Sequence, residues 1–239
     1  VADYHLDPGE MPARLVAYSR RAFGKRLATE SALSENTLQK VFLQLRIRTG
    51  HDFSQYKPST TLRRLERRMA VHQIDTLASY VKYLQTTPAE ADALFADILI
   101  GVTSFFRDPE TFLVLEQKLI PRLFEGKPAG STIRVWIAGC STGEEAYSIA
   151  MLLQERLEVL KCNYRVQVFA TDIDPQAIAT ARAGYYSASV AGDLTPDRVA
   201  RFLVPVPDQG GYRIQKNVRD LLVFSEQNLI RDPPFSKLD

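Results

Sequence analysis

Val135–Glu145 reads VWIAGCSTGEE, and the fold turns on how this stretch is read. Ile133–Ala138 is a short apolar run that is too brief for a helix and reads as a buried strand. Gly139–Gly143 is a Gly-x-x-x-Gly turn. Glu144–Leu160 follows at once with the broad apolar face of a helix. Glycines at such a strand-to-helix turn let a ligand come close to the backbone.

Outward from the turn, the alternation continues. Val166–Thr171 reads as a second strand and Pro175–Ala183 as a second helix, with Asp174 as its N-terminal cap. Strand, helix, strand, helix implies a parallel sheet of Rossmann-like α/β type with helices on both faces. Residues 184–219 interrupt it as a small mixed β insert. They hold a short helix capped at Thr195-Pro196, a Gly210-Gly211 turn and an alternating strand over Tyr212–Val218. Leu221–Ser225 returns to a buried strand. Three core strands are few for a doubly wound sheet, so the sheet is expected to continue past Asp239, and 1–239 alone to be short of activity.

Upstream, Asp108-Pro109 reads as a capped helix start and opens an α/β domain over 108–239. Residues 38–107 read as a small all-helical domain. In its last helix Ala91, Leu94, Phe95, Ile98 and Leu99 share one face. Residues 27–37 read as a polar linker, and 1–26 as a tail with a helix over Met11–Phe23.

Charge selects the nucleotide. A pyrophosphate favours a helix N-terminus with free amides, yet here that helix opens with Glu144 and Glu145. Two carboxylates suit a ligand that lacks phosphate and carries cations. S-adenosylmethionine, with a sulfonium and an ammonium, fits. Asp172, at the end of the second strand, is placed to hydrogen-bond both ribose hydroxyls. Glu145 is also favoured simply by the helix dipole.

Composition removes other classes. Hydrophobic residues make up 45% and charged residues 24%, so the chain is globular. A net charge of +2 argues against a bulk nucleic-acid binder. Cys140 and Cys162 lie far apart, and the three histidines form no cluster, so no disulfide framework or metal site is expected. No apolar run can span a bilayer and no signal peptide begins the chain, which points to the cytoplasm.

The sequence resembles the CheR family of chemotaxis receptor methyltransferases. The resemblance rests on Thr103–Pro109 (TSFFRDP), Ala138–Ile149 (AGCSTGEEAYSI), Phe169–Asp174 (FATDID), Ala181–Tyr186 (ARAGYY) and Asn228-Leu229. It implies transfer of a methyl group from S-adenosylmethionine to receptor glutamates, leaving S-adenosylhomocysteine. Thr103, Arg107, Glu144, Asp172, Asn228 and Leu229 would contact the cofactor, together with Gly139 and Gly143 of the turn. Many members have Asn where this chain has Gly101. Residues 1–26 resemble the end of the CheB receptor methylesterase catalytic domain, which implies a fusion of the opposing enzymes.

A glutamate carboxylate is already a nucleophile at neutral pH, so no general base is required. Arg107, a cation near a sulfonium, is expected to hold a carboxylate of cofactor or substrate. If the segment is helical, Thr103 and Arg107 share a face. Phe105 and Phe106 read as packing between the two domains. Arg63, Arg64, Arg67 and Arg68 recur on one helical face and read as a docking surface for the acidic helical bundle of a receptor. Two other readings stay open: a non-catalytic cofactor-binding module, and a methyltransferase of nucleic acid or a small molecule.

Overall fold

The computed structural model describes residues 6–22, 35–99 and 101–239. Phe23 and linker residues 27–34 lie outside them. The chain divides into two compact units, Val1–Ile100 and Gly101–Asp239. Thr103–Arg107 therefore falls in the second unit rather than the helical one.

The first unit is helical among its described residues: α1 (Met11–Ala22), α2 (Glu35–Thr49), α3 (Pro58–His72), α4 (Leu77–Thr86) and α5 (Pro88–Ile98). Local sequence sets the ends. Pro58 and Pro88 occupy the first helical turns. The Thr76 hydroxyl caps α4 by accepting from the Ser79 amide at 3.2 Å. The core joins Val41, Phe42 and Leu45 of α2 with Leu65, Met69, Tyr80, Leu84, Leu94 and Ile98. Ala91, Leu94 and Ile98 are the buried members of the α5 face, with Phe95 and Leu99 packed at its margin.

Arg68 requires a correction. It sits three residues after Leu65, so the same periodicity that buries Leu65 and Met69 buries it too, at 4% exposure. The charge is tolerated because Glu90 meets it with two hydrogen bonds, Nε to Oε1 at 2.9 Å and Nη2 to Oε2 at 2.6 Å. The Tyr80 hydroxyl donates to the same carboxylate at 2.6 Å, and His72 Nε2 lies 2.6 Å from it. Arg67 is half-buried and paired with Asp97. Of the four arginines read as a docking face, Arg63 is exposed, Arg64 is partly exposed, and Arg68 belongs to the core.

The second unit opens with α6 (Pro109–Val114), a π-helical turn over Leu115–Leu119 and α7 (Ile120–Arg122). A parallel sheet follows in the order β1 (Thr132–Ala138), β2 (Arg165–Asp172), β6 (Leu222–Glu226). Val135 pairs in register with Val168, and Val168 with Leu222. The crossover helices α8 (Glu144–Leu160) and α9 (Pro175–Ala183) have the bounds read from the sequence. Asp174 caps α9 as expected, its Oδ1 accepting from Gln176 N at 2.8 Å and Ala177 N at 3.2 Å. Ile133, Ile137, Tyr147, Met151, Leu153, Val168 and Ile178 build the core.

The insert carries β3 (Tyr185–Ser187), α10 (Pro196–Phe202), β4 (Leu203–Val206) and β5 (Gly211–Ile214), the strands forming an antiparallel sheet in the order β3-β5-β4. The expected strand over Tyr212–Val218 is shorter than read. It stops at Ile214, and Lys216–Arg219 forms the helical turn α11. Ile214 is buried from the strand and Val218 from the helical turn, the same two residues that a continued alternating strand would have buried.

Two further expectations change. Asp108 precedes α6 but does not cap it with its side chain, because its backbone lies in the left-handed region at φ 59°. Phe105 and Phe106 pack in the core of the second unit, against Tyr186 and Phe112 respectively. Among the described residues no helix is long and apolar enough to cross a membrane.

Candidate cofactor site at the carboxyl edge of the sheet

Parallel pairing brings the carboxyl ends of β1, β2 and β6 to one edge, with Ala138 beside Thr171 and Asp172 beside Glu226. In open α/β sheets ligands bind at this edge. The chain after β1 turns back over β2: Gly139 N and Cys140 N both donate to the Thr171 carbonyl, at 2.7 and 2.9 Å. Gly139 has φ 74°, and a Cβ added there would meet nothing within 4 Å. Gly143 has φ 99°, but an added Cβ would lie 2.8 Å from Ala181 Cβ. The two glycines thus do different things. Gly139 leaves open space over the turn, whereas Gly143 lets α8 pack close to α9.

Asp172 is half-buried and ties the edge together. Its Oδ2 accepts from the Ser141 amide at 2.7 Å and its Oδ1 from the Asp174 amide at 2.9 Å. Each carboxylate oxygen keeps further acceptor capacity for hydroxyl donors. At the first turn of α8, Glu144 accepts from the Thr142 hydroxyl at 2.6 Å. After β6, Gln227 N donates to the Asp172 carbonyl at 2.9 Å, which places Asn228 and Leu229 at the same edge. Asn228 is buried, with its Oδ1 accepting from Ile230 N at 3.0 Å, while Leu229 is 56% exposed.

Thr103 and Arg107 do not share a helical face. Their segment is irregular and turns at Phe105-Phe106, where Phe106 holds φ 47°. Arg107 Nη1 donates to the Val102 carbonyl at 2.7 Å and is otherwise exposed. The turn is fastened to α8: Phe106 N donates to Ser148 Oγ at 3.0 Å, and that hydroxyl donates to the Glu144 carbonyl at 2.7 Å. Gly101 lies against the glycine turn, since an added Cβ would stand 3.3 Å from Ser141 Oγ. Phe106, Asp108 and Ser141 all adopt left-handed backbone without being glycine, and such strained positions cluster at functional sites.

The edge is electrically negative. Burial first, then the charges of Asp172, Glu145 and Glu144, push the Cys140 thiol up to about 12. It is no nucleophile at neutral pH. The surrounding protein also raises the Glu145 carboxyl above its usual range, against the pull of Arg107, even though its surface stays open to solvent. Among the described residues no cluster of three or more His, Cys, Asp and Glu could hold a metal. A pyrophosphate would meet Asp172, Glu144 and Glu145 together. The donor set and the open space over Gly139 fit a cationic, phosphate-free nucleoside.

Sequence reasoning missed Ser148, Thr142 and Tyr186, whose hydroxyl donates to the Thr142 carbonyl at 2.7 Å. Ser148 reads locally as a polar residue in a helix, and its partner at Phe106 comes from a distant segment. Nothing in the local pattern could have found it.

Comparison with known proteins agrees with this geometry. Residues 101–239 match the family described as CheR methyltransferase, SAM binding domain, and residues 36–99 match CheR methyltransferase, all-alpha domain. The chain is 43% identical to an uncharacterized 104.1 kDa protein of Rhodobacter capsulatus, over 79% of this chain and 20% of that protein. It is 30% identical to the chemotaxis protein methyltransferase of Borreliella burgdorferi, over 79% of this chain and 68% of the relative. It is also 30% identical to that of Salmonella typhimurium, over 83% and 67%. The chain thus spans about a fifth of the first relative and about two thirds of the other two.

Proposed function

The chain belongs to the CheR methyltransferase family, and from that premise we propose that it methylates glutamate side chains of chemoreceptors, using S-adenosylmethionine. The observation that carries the reading is the placement of Asp172 and Glu144. Asp172 bridges the ends of β1 and β2, and Glu144 opens α8 beside the glycine turn. Together they form an acidic edge over which Gly139 leaves room.

When bound, S-adenosylmethionine supplies an activated methyl group on a sulfonium. Asp172 would hold the ribose hydroxyls. Glu144, with Glu145 nearby, would favour a positively charged ligand. Asn228 and Leu229 would border the base, and Thr103 and Arg107 the amino-acid end. Arg107 spends one donor on Val102 and keeps others for a carboxylate. The substrate glutamate needs no general base, because its reference pKa of about 4.3 leaves it ionised at neutral pH. The protein's part is alignment and exclusion of water.

Calorimetry tests the assignment. Asp172→Asn keeps the shape but removes the charge, and it should weaken S-adenosylmethionine binding by about 1.5–3 kcal/mol, the scale of a hydrogen bond to a charged group. Asp172→Ala is a poorer probe, since it orphans both the Ser141 and Asp174 amides, whereas Asn keeps a carbonyl acceptor for one of them. The same titration should depend on pH. Because the Glu145 carboxyl is raised, it takes up its proton at a higher pH than an ordinary glutamate. Binding should therefore weaken as pH falls, and begin to do so at a higher pH than an ordinary glutamate would cause. It should weaken more for S-adenosylmethionine than for the uncharged thioether of S-adenosylhomocysteine. Equal affinity in the Asn variant would remove the ribose assignment.

The docking face now rests on Arg63 and Arg64. Arg63→Glu with Arg64→Glu should lower receptor affinity while leaving cofactor affinity unchanged, and the native association should weaken with added salt. A charge-reversed pair with normal receptor affinity would make these arginines ordinary surface. We also place the chain in the cytoplasm. The likeness of residues 1–26 to a methylesterase supports a parent that joins esterase and methyltransferase.

A further inference from the structure

Phe106 occupies a position that a side chain rarely adopts, with φ 47°, and it immediately precedes Arg107. Something must hold it there. Ser148 holds the backbone from the α8 side. The ring is held from elsewhere: the Arg198 guanidinium of α10 lies over it, 4.4 Å from the centroid. Arg198 is itself fixed. Its Nε donates to Glu155 Oε1 at 2.9 Å, its Nη2 to Glu155 Oε2 at 2.9 Å, and the same Nη2 to Glu116 Oε2 at 3.1 Å. A guanidinium locked edge-on by two carboxylates keeps its flat face for an aromatic ring. The Arg198 side chain is 15% exposed, so water screens the contact little.

We propose that Arg198, on the insert, is a positioning residue for the Phe106–Arg107 turn, acting through the Phe106 ring and reaching neither cofactor nor substrate itself. The proposal rests on the reading that this turn, with Thr103 and Arg107, borders the cofactor. It makes the insert part of the machinery that shapes the site, since α10 would transmit its own placement to Arg107. Arg201 supplies the control. It lies one turn on along α10 and joins the same ion-pair network through Glu155, Glu158 and Asp197, but it stacks on Phe202 instead of Phe106.

The test is made in the intact protein with S-adenosylhomocysteine as the titrant. Arg198→Ala should weaken its affinity about tenfold, which is the scale of one shielded cation–π contact. Arg198→Lys, which keeps a cation over the ring but loses the fork, should lose about threefold. Arg201→Ala should lower thermal stability to a similar degree yet change affinity less than about twofold, because it leaves Phe106 alone. A second measurement needs no ligand: 4-fluorophenylalanine placed at position 106 should shift or broaden its fluorine resonance in Arg198→Ala and not in Arg201→Ala. Equal affinity losses in the two alanine variants, or an unmoved fluorine signal, would overturn the proposal. Failure of the wild-type protein to bind S-adenosylhomocysteine would instead count against the cofactor reading, and the fluorine result would still decide whether Arg198 holds the turn.

Discussion

Glu90→Ala is expected to destabilise the helical unit by about 3–5 kcal/mol, the usual cost of removing one partner from a buried ion pair. Three groups lose their acceptor at once. Arg68 is 4% exposed and keeps a charge that water cannot reach. The Tyr80 hydroxyl, fully buried, loses its carboxylate, and so does His72. Burial and the nearby Glu90 charge raise the Tyr80 hydroxyl far above its ordinary range, so it stays a neutral donor in need of a partner. A helical unit this small has little stability in reserve. Arg68→Glu should do at least as much damage, because it sets two carboxylates against each other. Replacing both partners, Arg68→Met with Glu90→Leu, should recover only part of the loss, since it removes the orphaned Arg68 charge but still leaves the Tyr80 hydroxyl and His72 without their acceptor. The single tryptophan, Trp136, lies in β1 of the other unit. Loss of helical circular dichroism at a denaturant concentration where Trp136 fluorescence is still native would locate the effect. A Glu90→Ala protein that unfolds at the native midpoint would show that the network contributes nothing net.

Gly143→Ala carries the second large effect, about 2–5 kcal/mol on the α/β unit. The backbone there holds φ 99°, and a Cβ would come within 2.8 Å of Ala181 Cβ and 3.1 Å of the Tyr186 hydroxyl. The left-handed conformation costs roughly 1–2 kcal/mol for a residue with a side chain, and overpacking a fixed contact adds about 1–3 kcal/mol. Ala181 belongs to α9 and is fully buried, so it has nowhere to move. Gly139→Ala makes the contrast. It meets no atom within 4 Å, so only the conformational cost remains, and stability should fall by no more than about 1–2 kcal/mol. Its methyl group would stand in the open space over the turn, so the larger loss should appear in S-adenosylhomocysteine affinity. Trp136 fluorescence during denaturation gives the first quantity for both variants and calorimetry gives the second. If Gly139→Ala proved the more destabilising of the two, the division of roles between the glycines would be reversed.

The sequence by itself determined whatever depends on neighbours along the chain. The turn at Gly139–Gly143, helices α8 and α9 with their bounds, the Asp174 cap and the Thr195 cap all follow from residues within a few positions of each other. Topology then carried Asp172, Glu144, Asn228 and Leu229 to one edge, because parallel strands joined by helices must align their carboxyl ends. Local pattern failed where an alternating run changed structure midway, the strand ending at Ile214 and a helical turn burying Val218, and where backbone strain displaced a cap, as at Asp108. Only the tertiary structure decided which charges face water. Arg63 and Arg68 carry the same side chain on the same helix, yet Arg68 is core because Glu90 comes from another helix to meet it. The same holds for the Phe106 ring under Arg198 and for Ser141 on Asp172. Such contacts join segments far apart in sequence, and their energy depends on burial and on a partner's position, neither of which a local pattern encodes.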